Sequence, residues 1–119
     1  MTRRFKRPVT IATVSGASVI ELHGEFDLSN VAPVALHLDA AIRAGAGSVI
    51  VDLSDARFVN STLVNALFQA CRQIHQTGGK LALVTGDAQA RKVIELTALD
   101  QAAGVYGAVE DAVAGAAER

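Results

Sequence analysis

The chain alternates short, β-branched apolar runs with longer segments whose apolar residues recur every three to four positions. Residues 9–14 and 19–22 are two such short runs, separated by Ser15-Gly16-Ala17-Ser18, and together they read as an N-terminal hairpin. In the second run Val19, Glu21 and His23 alternate with Ile20, Leu22 and Gly24, so one face of that strand is expected to be less buried. Residues 48–53 are almost continuously apolar between Gly47 and Asp55, the pattern of a strand covered on both faces. Residues 80–85 repeat that pattern, and residues 104–109 repeat it weakly.

Helical periodicity fills the intervals. Asn30 is a candidate cap for a helix with Pro33 in its first turn, with Val34, Leu38, Ala41 and Ile42 on one face and Gly45 as its stop. The longest periodic segment opens at Asn60-Ser61-Thr62, all good cap residues, and runs to about Gln76. Val64, Leu67, Phe68, Cys71 and Ile74 form its apolar stripe; Asn65, Gln69, Arg72, Gln73 and Gln76 fall opposite. Gly78-Gly79 ends it. Gly86-Asp87 opens a third helix with Ala90, Val93, Ile94 and Thr97 inward, closed by Leu99-Asp100, and residues 110–118 suit a short Ala-rich helix. The order β-β-α-β-α-β-α-β-α predicts one α/β domain over 1–119, with about five strands, about four helices and a mostly parallel sheet carrying one antiparallel hairpin.

Charge and cysteine content narrow the class. The 119 residues carry a formal net charge of −1, which argues against bulk nucleic-acid binding. Arg3, Arg4, Lys6 and Arg7 concentrate basic charge in residues 1–7, leaving seven basic and twelve acidic residues in the remainder. That start reads as a flexible, solvated basic tail. No apolar run is long enough to span a membrane, and none follows Met1 to Arg7 in the manner of a secretory leader. Cys71 is the single cysteine, so no internal disulfide can form and a reducing cytoplasm is expected.

Catalytic motifs are missing. The Gly-x-Gly at Gly45 and Gly47 precedes a strand instead of following one, and so fails as a phosphate-binding fingerprint. There is no P-loop, no serine-hydrolase signature and no acidic pair set for acid–base work. His23, His37 and His75 stand far apart with no Cys or Glu at metal-ligand spacing, so neither a metal nor a cofactor is expected. What remains is the junction at Asn60-Ser61-Thr62. It offers hydroxyls where a core strand gives way to a helix N-terminus, whose free N–H groups and dipole favour negative charge.

Three stretches in order then carry a family likeness. Gly24-Glu25-Phe26-Asp27 resembles the Gly-Glu-Leu-Asp turn of the STAS domain family, the small α/β domains of anti-sigma-factor antagonists. Residues 49–54 leading through Phe58 into Asn60-Ser61-Thr62 match a second stretch, and residues 91–100 are close to the family's third helix. The resemblance implies partner switching. The unmodified domain binds an anti-sigma factor with kinase activity and a histidine-kinase-like ATPase fold; phosphorylation ends that binding, and a phosphatase would restore it. The family's loop reads Asp-Ser-Ser-Gly or Asp-Ser-Thr-Gly, with the second hydroxyl residue phosphorylated. Position by position, Asn60 stands at the acid, Ser61 at the first hydroxyl, Thr62 at the phosphoacceptor and Leu63 at the glycine. The implied acceptor is Thr62, with Ser61 second, and the implied partner surface is Asp27, Asn60, Ser61, Thr62 and Leu63. Asn60 removes a negative charge beside the acceptor, and Leu63 is expected to put a bulky side chain where a partner approaches. The alternative is a STAS scaffold that is never phosphorylated, or an accessory subunit of a stress-signalling or transport assembly. Neither reading involves catalysis by this chain, nucleic acid or membrane insertion.

Overall fold

The computed structural model describes residues 8–45, 47–57 and 59–117. The basic start at residues 1–7, Phe58 and Glu118 lie outside the described residues. Five strands and four helices follow one another as β1 (Val9–Val14), β2 (Ala17–Gly24), α1 (Ala32–Arg43), β3 (Ser48–Ala56), α2 (Ser61–Gln76), β4 (Lys80–Val84), α3 (Ala88–Leu96), β5 (Gly104–Tyr106) and α4 (Val109–Ala117). The sheet runs β1-β2-β3-β4-β5 in chain order. β1 is antiparallel to β2 and every later pairing is parallel.

That order decides which face each helix covers. Right-handed crossovers that always step the same way place α1, α2 and α3 on one side of the sheet. There Val34, Leu38, Leu67, Ile74 and Ile94 pack against Ile20, Leu22, Val51, Leu53 and Leu83 in the main core. Among the described residues α4 is the helix that covers the second face, where a smaller cluster gathers Ala17, Val19, Ile50, Val84 and Ala112. β3 is central and its Val49, Ile50 and Val51 are wholly buried, because helices lie over both of its faces.

Local chemistry explains the joints. Ser15 and Gly16, both at positive φ, make the two-residue turn that suits the twist of a hairpin. α2 ends in a Schellman motif: Gly78, at φ 79°, donates to the His75 carbonyl, and Gly79 donates to that of Ile74. A Cβ on Gly79 would stand 2.8 Å from the Gly47 carbonyl oxygen, so that position needs glycine for space.

Several expectations are corrected. Asn30 does not cap α1; Val31 occupies the cap position with no side-chain hydrogen bond. Thr97 does not face inward. It is the exposed C-cap of α3, and its hydroxyl donates to the Val93 carbonyl. Leu99-Asp100 begins a 3₁₀ turn, Leu99–Gln101, that buries Leu99 completely. The last strand stops at Tyr106, and α4 begins at Val109. β3 outruns its apolar core by three residues, to Ala56, for a reason that bears on the site.

Candidate functional site

The C-terminal ends of β2 and β3 carry the loops that matter. Asn60 is extended (φ −110°, ψ 177°), which aims its side chain over the first turn of α2. Its Oδ1 accepts from the Leu63 N–H at 3.0 Å, the bond of an N-cap. Its Nδ2 donates to the Phe26 carbonyl at 2.6 Å. One amide therefore caps the helix and ties it to the loop after β2. Val59 before the cap and Val64 four residues after it are both buried in the main core, the arrangement of a hydrophobic staple.

Ser61 and Thr62 are the first two residues of α2. Ser61 is exposed and Thr62 half-buried. Both line a groove of about 390 Å³ between the starts of α1 and α2, together with Leu28, Val31, Ala35 and Gln69. No charged side chain lines that groove, and Leu28 at its rim is 87% exposed.

Leu63 goes elsewhere. It is 0% exposed and part of the main core, so its side chain does not stand in a partner's path. Only its backbone belongs to the surface junction. The reason is helical phase: three residues after the cap, it falls on the same buried stripe as Leu67 and Ile74.

Asp27 lies one residue beyond the carbonyl that Asn60 holds. It is exposed, and its Oδ1 accepts from the Ser29 hydroxyl at 2.5 Å and the Ser29 N–H at 2.8 Å. Those hydrogen bonds, the hydroxyl's first, hold its carboxyl below the ordinary carboxylate range. Asn30 closes the same loop, accepting from the Asp27 N–H at 2.7 Å and donating to the Glu25 carbonyl at 2.8 Å.

A second polar cluster escaped the sequence reading. Thr10 Oγ1 donates to Glu21 at 2.7 Å and lies 2.8 Å from His23 Nε2; His23 Nδ1 lies 2.7 Å from Asp55 Oδ2. His23, 13% exposed, thus links β1, β2 and β3. The pairing register of β2 and β3 slips between Glu21 and His23, and this irregularity puts Asp55 opposite His23. That is why β3 extends to Ala56. A hydroxyl, imidazole and carboxylate in line are reminiscent of a catalytic triad, but the threonine proton is already engaged by Glu21, so the set works as a cross-strand fastening. Alternation placed Glu21 and His23 on one face; nothing in sequence signals the slip.

Cys71 is buried in the main core, and desolvation raises its thiol to about 11. No group of three His, Cys, Asp or Glu among the described residues is placed to hold a metal ion, and no helix among them is long and apolar enough to cross a membrane.

A parallel sheet with one antiparallel hairpin, and hydroxyls at the capped start of α2, define a class. The chain belongs to the STAS domain family, whose model matches residues 8–112. It is similar to the anti-sigma-F factor antagonist RsfB of Mycobacterium tuberculosis, 26% identical over 107 residues that cover 90% of this chain and 87% of that protein. In structure it is similar to an anti-sigma factor antagonist from Mycobacterium paratuberculosis, with a TM-score of 0.83 and 23% identity over 92% of this chain and 93% of that one. It is also similar to the Bacillus cell fate determinant SpoIIAA in its phosphorylated form, with a TM-score of 0.71 and 23% identity over 90% and 97% of the two chains. At these identities the structural likeness speaks to the fold.

Proposed function

We propose that this chain is an anti-sigma factor antagonist of the cytoplasm that works by partner switching, with Thr62 as its phosphoacceptor and Ser61 as the second choice. The observation that carries the reading is the pair of hydroxyls at the start of α2, on the edge of an uncharged groove with Leu28 at its rim. The names of the similar proteins, antagonists in each case or a cell fate determinant solved phosphorylated, support it. The partner would be an anti-sigma factor with a histidine-kinase-like ATPase fold, which transfers the phosphate; a phosphatase would reset the switch.

The physics favours this junction. A phosphate adds about −1.5 to −2 charge at neutral pH. At N1 or N2 of a helix the free N–H groups accommodate it, so the domain need not unfold. The groove it would enter is uncharged, so the whole of that charge is contrast between the two states. With Asn60 at the cap the groove lining itself carries no carboxylate, and the ionised Asp27 lies in the neighbouring loop, one residue beyond the Phe26 carbonyl that Asn60 holds. Turning a mostly bound complex into a mostly free one takes about 5.5 kcal/mol of differential affinity. Leaving a charge buried and unpaired in an interface supplies roughly 2–5 kcal/mol. Displacement of the partner's contacts around Leu28 would make up the rest.

The test pairs mass with affinity. Incubated with the cognate kinase and ATP, the wild-type chain should gain one phosphate and Thr62→Ala should gain none or shift the label to Ser61. Thr62→Asp should bind the anti-sigma factor at least about tenfold more weakly, a loss of some 1.4 kcal/mol. A Thr62→Asp variant that binds as tightly as wild type would remove the switch. An unmodified mass together with tight binding would leave the scaffold reading in its place.

A further inference from the structure

The sheet ends on two unlike edges. β5 is three residues long, Gly104–Tyr106, and gives little to pair with. β1 is six residues, Val9–Val14, in unbroken register with β2, and its Val-Thr-Ile-Ala-Thr-Val contains no charge and no proline. Natural sheets guard exposed edges with lysines, prolines, bulges or short strands. β1 has none of these, and Ile11 is 56% exposed on it.

The phase of the strand says what fits there. His23 donates to the Pro8 carbonyl at 2.8 Å, and Val14 faces Ala17 across the two-residue turn. Pro8, Thr10, Ala12 and Val14 therefore turn their backbone groups toward β2, while Val9, Ile11 and Thr13 turn theirs outward. None of the turn, loop and cap hydrogen bonds among the described residues ends on those three. Their side chains share the face of Leu22, Ile20 and Ser18, which is the α1 side.

We propose that β1 is a self-pairing edge, which joins a second copy of this chain antiparallel about a two-fold axis through Ile11. A two-fold perpendicular to the sheet keeps each face on its own side, so outward-turned residues of one face must meet their own kind. Centred on Ile11, the axis sets Ile11 against Ile11 and each Val9 against Thr13 of the other copy, every pair exchanging both N–H···O=C bonds. Side-chain parity and hydrogen-bond parity agree in that register. Centring on Ala12 instead would leave Val9 without a partner. Residues 9–14 bring no charge to the seam from either copy, so no like charges oppose each other within the paired strands. Two five-stranded sheets become one of ten strands, and the exposed Ile11 side chains cover each other. α2, which carries Ser61 and Thr62, packs over β4, three strands from this edge, whereas α1, the other wall of their groove, packs over β1 and β2. This inference stands apart from the phosphorylation reading.

Sedimentation of the full chain from about 10 μM to about 1 mM should show a monomer–dimer equilibrium. Ile11→Lys, at an exposed position, should keep the circular dichroism spectrum and raise the dimer dissociation constant about tenfold or more. Ile11→Cys should form a reducible covalent dimer on mild oxidation, since facing residues of a bonded pair stand about 5.5 Å apart at Cα. Cys71 is buried and does not compete. Thr13→Cys, which faces Val9, should not cross-link. A wild-type monomer at about 1 mM, a dimer untouched by Ile11→Lys, or Thr13→Cys linking as readily as Ile11→Cys would each overturn the proposal.

Discussion

α1 and α2 start from similar sequence and begin in different ways. Each has an asparagine before its first turn, Asn30 and Asn60, and each buries its third helical residue completely, Val34 and Leu63. Asn60 caps its helix; Asn30 does not. The cause is backbone. Asn60 is extended, so its side chain arches over the turn, whereas Asn30 and Val31 both donate to the Asp27 carbonyl in a tight turn that brings the chain into α1 already near-helical. Pro33 then removes one of the donors a cap would have served. Freed from α1, the Asn30 amide braces its own loop. An asparagine caps when the chain arrives extended, and its identity alone does not settle the matter.

The largest expected break falls on the residue the two helices share in position. Leu63→Ala should destabilise the domain by about 3 kcal/mol, within the range for deleting a fully buried leucine, read as a lower urea midpoint. A loss under about 1 kcal/mol would mean that the core closes freely around the missing side chain. The result bears on the family motif too, because Leu63 occupies the place of a glycine and contributes core in its stead. A smaller contrast separates the asparagines. Asn60→Ala removes a cap and the bridge to Phe26 together and should cost about 2 kcal/mol. Asn30→Ala removes two exposed loop bonds and should cost about 1 kcal/mol or less. Equal losses by denaturant titration would erase the distinction between a capping and a bracing amide.

This comparison also marks what was legible in sequence. Apolar runs and glycine stops located all five strands and four helices, because period and breakers are local properties. The start of α2 was readable for the same reason: strand, cap residue and stripe stand next to each other. Leu63 shows the limit. Alignment to a motif made it a surface residue, while its phase on the helix, three positions from the cap, already put it with Leu67 and Ile74. Its phase was the better guide. The His23–Asp55 contact was not legible, since it depends on a slip between two strands whose partners lie 32 residues apart. β5 was overextended because Val109 is as apolar as Val105, and only the packing of α4 on the second face separates strand from helix there.

The smallest effect distinguishes the two loops by acid. Asp27 titrates; Asn60 cannot. Ser29's hydroxyl and N–H bind the ionised form of Asp27, so its folded pKa lies below the unfolded 3.8. A depressed carboxyl lends stability that is fully present above its unfolded value and lost as pH falls through the folded one. Asp27→Asn, which keeps an acceptor but no charge, should therefore be less stable than wild type at neutral pH, and the difference should close as pH drops below 3.8. Urea midpoints of the two proteins across the acid range give the answer. A gap of constant size would assign the effect to side-chain shape, and the entry loop of α1 would then be no more sensitive to acid than the capped start of α2.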